Sequence, residues 1–215
     1  IFNMDGSEAE CSGNGLRCVA VYLMGLARFN EGKIKIKTVS GNYLVRQVGQ
    51  KFETAMGVPR LKPEEIPFRV TDGLECIVDY PLDVNGNPVR ITACSIGNPH
   101  CSLFVESIEA SMIESLGPKL ENHPVFPNRT NVEFVHILNR TEIEVGFWER
   151  GVGVTLSSGT GSCGATVASI LNGLTEQEVR VHTQLGILHV EWAKDGNLKL
   201  ISTAEVVAEG RYMNS

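Results

Sequence analysis

The chain has 215 residues, 42% of them hydrophobic and 20% charged, which suits one large domain or two of about a hundred residues each. Its steady supply of Val, Ile, Leu and Phe argues against disorder, and no apolar run approaches the roughly eighteen residues that cross a bilayer. A formal net charge of −6, without a Lys/Arg stripe to neutralise phosphates, argues against nucleic acid as a partner.

Taken in order, the pattern predicts short strands alternating with a few helices. Residues 15–26 carry apolar side chains at helical spacing after a glycine-rich turn. Residues 33–39 alternate Lys with an apolar residue, as a half-buried strand does, and 42–48 continue after Ser40-Gly41-Asn42 as the second arm of a hairpin. Three prolines, Pro59, Pro63 and Pro67, interrupt residues 58–67, which read as a domain boundary. Strands are expected over 75–80, 89–95 and 100–105, a helix over 107–116 and a loop over 123–128. Two more strands follow over 132–138 and 142–148, then a loop over 149–159 and a second glycine-opened helix over 161–171. Strands over 179–183, 187–192 and 198–202 close the chain. The six cysteines are too sparse for a disulfide scaffold and none forms a C-x2-C pair, so they read as buried reduced thiols of a cytoplasmic protein.

Two segments repeat one another. Ser12-Gly13-Asn14-Gly15 and Ser158-Gly159-Thr160-Gly161 each place Ser-Gly-polar-Gly before a helix of small and apolar residues. They are too far apart for a solenoid, whose period is about 20–50 residues, and suit one copy in each half of a pseudo-symmetric pair. Glycines flanking a polar residue let the chain turn tightly into a helix and leave N–H groups pointing outward at its positive end. Such a start is a ready anion site, and two facing each other would hold one amino acid between the side chains of Ser12 and Ser158. The plainer reading is that each Gly-X-Gly only begins a helix. Neither copy is a dinucleotide turn or a Walker loop.

The run from Asn3-Met4-Asp5-Gly6-Ser7-Glu8 through Ser12-Gly13-Asn14-Gly15-Leu16-Arg17-Cys18 resembles the first active-site signature of the diaminopimelate epimerase family. Glu149-Arg150-Gly151-Val152-Gly153 followed by Ser158-Gly159-Thr160-Gly161 resembles the second. Gly97-Asn98-Pro99-His100-Cys101 and the stretch from Phe126-Pro127-Asn128-Arg129-Thr130 to Asn131-Val132-Glu133-Phe134 resemble two further family stretches, in the family's order. The resemblance implies an α/β fold of two pseudo-symmetric domains, each a mixed sheet wrapped around a central helix. It implies an isomerase that interconverts LL- and meso-diaminopimelate for lysine and peptidoglycan by a two-base mechanism, without metal, PLP or nucleotide. The partner would be a small amino acid, with no membrane or nucleic acid, and a homodimer remains open.

Carried over by position, Asn3, Asn98 and Asn131 would hydrogen-bond the substrate's polar ends. Gly13 and Asn14, with Gly159 and Thr160, would offer backbone N–H groups to the α-carboxylate. Arg150 would bind a carboxylate bidentately beside Glu149, and His100 and Glu149 would tune the acid and base. The chain opens Ile1-Phe2-Asn3 without Met, and against the family pattern it starts inside the first domain. Residues 1–57, with about 203–215, then read as a remnant of that domain, and 58–202 as the second.

At the positions of the family's two catalytic cysteines stand Ser12 and Ser158. Racemisation needs a base on one face of the α-carbon and an acid on the other. A thiol near pKa 8.5 serves as either, whereas a serine hydroxyl is far less acidic. Natural altered chemistry, an engineered trap, and lost catalysis with retained binding all account for a serine pair. The rivals to an epimerase are therefore a same-fold isomerase or dehydratase of another amino acid and a substrate-binding homologue without catalysis.

Overall fold

The computed structural model describes residues 12–25, 32–39, 41–69 and 73–208. Helix α1 (Gly13–Gly25) precedes three antiparallel strands, β1 (Lys33–Thr38), β2 (Gly41–Val48) and β3 (Lys51–Gly57). After the proline-rich passage come β4 (Ile77–Val84), β5 (Asn87–Ser95), β6 (Pro99–Phe104) and helix α2 (Ala110–Glu121). Then follow β7 (Asn131–Asn139), β8 (Glu142–Glu149), β9 (Gly153–Thr155), helix α3 (Gly159–Leu171), β10 (Glu178–Thr183), β11 (Gly186–Trp192) and β12 (Leu198–Ser202). The described strands form one mixed sheet in the order β1-β2-β3-β12-β11-β10-β8-β7-β6-β5-β4, with β9 on β8. Only the β6–β7 and β8–β10 pairings are parallel. No described helix is long and apolar enough to cross a membrane.

The sheet curls around α3. Every residue of α3 from Gly159 to Ser169 is buried, and the helix packs on β5, β6, β7, β8, β10, β11 and β12. Its sequence permits this: Gly, Ala, Ser, Thr and Cys give it a thin cross-section. The hydroxyls of Ser162 and Ser169 bond to carbonyls one turn back, at Ser158 and Ala165. Leu16, Val45, Phe52, Phe147, Val190 and Leu200 belong to the core around α1 and α3. A second core lies on the sheet's other face under α2, with Ile91, Leu103, Ile113, Leu120 and Phe134.

Three local expectations change. Strand β3 lay unassigned, although Phe52, Thr54 and Met56 are buried in alternation with half-exposed neighbours. Strand β4 runs through Pro81, which an edge strand tolerates because proline removes a donor that need not pair there. Helix α2 begins and ends later than 107–116 and contains Pro118, and burial of Leu120 and Glu121 carries the last turn past it. The proline-rich passage is not exposed throughout: Ile66 and Phe68 enter the second core, with Phe68 edge-on to Phe126 at 5.0 Å. The cysteines also divide. Cys94, Cys101 and Cys163 are buried, Cys18 and Cys76 are exposed, and Cys11 lies outside the described residues.

Candidate active site

The two repeated turns meet. Ser12 precedes α1, and its Oγ accepts from the Gly15 N–H at 3.1 Å. Ser158 caps α3 in the same manner, its Oγ accepting from the Gly161 N–H at 3.2 Å. Such caps contribute about 0.5–2 kcal/mol each to a helix. They leave the N–H groups of Gly13 and Asn14, and of Gly159 and Thr160, outside the helical ladder. The helix starts touch backbone to backbone. A Cβ on Gly13 would lie 3.2 Å from the Gly159 Cα, and one on Gly159 would lie 3.1 Å from the Gly13 Cα. A side chain on either glycine would crowd the other's backbone, and the positive ends of two helices converge on one place. Thr160 is buried there, and Asn14 is exposed.

The sheet supplies the next groups through its period-two alternation. Along β6, Cys101 and Leu103 face the second core, so His100 and Ser102 face α3; along β7, Val132 and Phe134 do likewise, which turns Glu133 toward α3. The result is a buried chain. Ser102 Oγ donates to Glu133 Oε2 at 3.2 Å, Glu133 Oε1 meets His100 Nδ1 at 2.7 Å, and His100 Nε2 meets Asn98 Oδ1 at 2.9 Å. His100 is 0% and Glu133 1% exposed. Burial pushes the Glu133 carboxyl above its usual range, against the pull of His100 and the Ser102 hydrogen bond. The imidazole also packs against α3 at Gly164, where a Cβ would come within 2.9 Å of the ring. Both His100 nitrogens are engaged, and the ring is closed to solvent.

A second network holds the 149–153 loop. Asn131 is buried, its Oδ1 accepting from the Arg150 N–H at 3.0 Å and its Nδ2 donating to the Pro99 carbonyl at 2.8 Å. Arg150 Nη1 donates to the Asn128 carbonyl at 3.1 Å, and Glu149 Oε1 accepts from Thr155 Oγ1 at 2.7 Å. Glu121, at the end of α2, accepts from the Gly151 N–H, Trp148 Nε1 and Arg129 Nη1 at 2.9, 2.7 and 3.1 Å.

The structure thus gathers Ser12, Gly13 and Asn14 against Ser158, Gly159 and Thr160. Asn98, His100, Asn131, Glu149 and Arg150 come together at the α3-side strand ends and loops. Asn3 lies outside the described residues. Glu133 and Glu121 had no assigned role from sequence. An acid between Val132 and Phe134 in a strand is a signal for the first, but nothing near Glu121 announces the second.

A family model for diaminopimelate epimerase matches residues 92–209. A diaminopimelate epimerase from Pelotomaculum thermopropionicum is 42% identical, over 99% of this chain and 77% of its own length. One from Moorella thermoacetica is 41% identical over the same shares. The chain belongs to the diaminopimelate epimerase family. Among solved structures, a probable proline racemase from Agrobacterium radiobacter matches with a TM-score of 0.67 at 15% identity, covering 96% of this chain and 70% of that one. A hydroxyproline epimerase from Agrobacterium vitis matches with a TM-score of 0.64 at 14% identity, over 93% and 66%. These likenesses show the fold. As a diaminopimelate epimerase family member the chain is an isomerase by descent, with hydroxyls capping the two helix starts that meet at Gly13 and Gly159.

Proposed function

We propose that the protein is an amino-acid epimerase acting on diaminopimelate, with Ser12 and Ser158 on opposite faces of the α-carbon. The observation that carries this reading is the contact of two serine-capped helix starts at Gly13 and Gly159. A carboxylate there receives N–H groups from both helices, and its α-carbon then stands between the two hydroxyls. Residues 1–57 with about 203–215, and residues 58–202, form the two units of the cleft, joined in the sheet by pairing of β3 with β12. Arg150 and the Asn98 amide receive the polar ends of the ligand, and Glu149 lies beside them.

In each turnover one oxygen enters as an alkoxide and takes the α-proton, while the opposite hydroxyl delivers its proton to the other face. The electron pair of the broken C–H bond is held in the carboxylate between the two steps. Helix N-termini stabilise both the carboxylate and the alkoxide, but a hydroxyl ionises far less readily than a thiol. Turnover is therefore slow, while binding is kept. Isothermal titration tests the substrate: meso-diaminopimelate is expected to bind with measurable heat. No heat from it, with clear heat from another amino acid, would overturn the assignment.

A further inference from the structure

Arg17 lies one turn into α1, on the buried face with Gly13, Leu16 and Ala20, and is 5% exposed. A helical side chain leans toward the N-terminus, and this one does, its Nη2–H donating to Asn14 Oδ1 at 2.6 Å. The remaining nitrogens, Nε and Nη1, are buried, and among the described residues neither has a hydrogen-bond partner. Among the described residues the thiols of Cys163 and Cys18 act on its charge, and no carboxylate pairs with it. Arg17 and Cys163 hold the same place in the two turns, each five residues beyond its serine, so the pseudo-symmetry sets a cation on one side only.

A buried charge without a counter-ion is costly, and an anion bound nearby offsets part of that cost. Here the guanidinium lies behind the first turn of α1, where two helix starts already favour negative charge. We infer that Arg17 is an electrostatic binding residue of this cradle and that its counter-ion is the carboxylate of the bound amino acid. Its unpartnered donors are closed to solvent, so the charge acts through the low-dielectric helix start, not by contact. The inference rests on the proposed binding of diaminopimelate at the two helix starts.

The test combines titration and thermal unfolding of the whole chain, using meso-diaminopimelate and its bis-amide. Arg17→Met keeps the bulk of the side chain and removes the charge. Its unliganded Tm is expected to equal or exceed the parent's, since an unpaired buried charge has gone. Its affinity for the acid is expected to fall by roughly tenfold or more, and that for the bis-amide to change by less than about twofold. Arg17→Lys, which restores a cation, is expected to recover part of the loss. If methionine prevents folding, Arg17→Gln against Arg17→Lys gives the same comparison. A Met variant that binds the acid as tightly as the parent overturns this inference alone. A parent that binds neither compound overturns the functional reading with it.

Discussion

Changing Ser12 and Ser158 together to cysteine is expected to raise epimerisation of diaminopimelate by a factor on the order of 10²–10⁴, the usual contribution of a positioned acid or base. The surroundings of the two hydroxyls are already those a thiolate needs. Each Oγ caps a helix and accepts one backbone N–H, and the positive ends of both helices converge there. A sulfur in either place inherits that field, which lowers a thiol's pKa. Single changes are expected to give much less, because one base and one acid must act on opposite faces and residues that act as a unit are not additive. The check is turnover of the purified double variant beside both single variants, each shown by titration to bind substrate. No gain in a folded, binding double variant would contradict the assignment of these positions.

Glu133→Ala is expected to destabilise the fold by about 1–3 kcal/mol, the cost of leaving buried hydrogen-bonding partners unsatisfied. It strands His100, whose ring is 0% exposed and touches α3 at Gly164, and it removes the acceptor of Ser102. Glu133→Gln is expected to cost far less. Its amide N–H can donate to His100 Nδ1 while its oxygen accepts from Ser102, which leaves the Nε2–H to hold Asn98. The two variants also separate by pH. The Glu133 carboxyl is held above its ordinary value of 4.5, chiefly by burial. A raised carboxyl pKa contributes stability below that value, and the contribution is lost as pH rises through the folded pKa. The stability of the parent relative to Glu133→Gln is therefore expected to decline from about pH 4 toward neutrality. Denaturant unfolding across that range gives the difference directly, and a flat difference would contradict a raised Glu133.

Much of the site was legible because its signals are local. The Ser-Gly-polar-Gly turns announce helix starts by glycine content and capping side chain alone, and the described parts of α1 and α3 follow those turns. The alternating Lys of residues 33–39 yields a strand and a hairpin at Gly41 for the same reason. What stayed hidden depends on distant partners. Arg17 falls on the apolar stripe of α1, a visible oddity, but that it is buried with unpartnered nitrogens follows only from the packing of the folded chain. Glu121 ties α2 to Trp148 and Gly151 across 27 and 30 positions, and no spacing rule links them. His100 is the instructive case. The family resemblance singled it out, and the structure adds its partners, Glu133 on one ring nitrogen and Asn98 on the other. Its period-two position on β6 fixed the inward direction, but only the parallel register with β7 placed Glu133 beside it. Pro81 and Pro118 stand inside β4 and α2, local breakers overridden by position, one at a sheet edge and one in a helix end anchored by buried Leu120.

If the two serine hydroxyls exchange the α-proton of diaminopimelate, solvent deuterium enters at that carbon. The parent protein, saturated with LL- or meso-diaminopimelate in deuterium oxide, is expected to introduce deuterium at the α-carbon slowly but above the rate without protein. Ser12→Ala with Ser158→Ala is expected to abolish that excess while substrate still binds. Exchange in the parent no faster than background at full occupancy, or exchange that survives the double alanine change, would contradict the proposed role of the two serines.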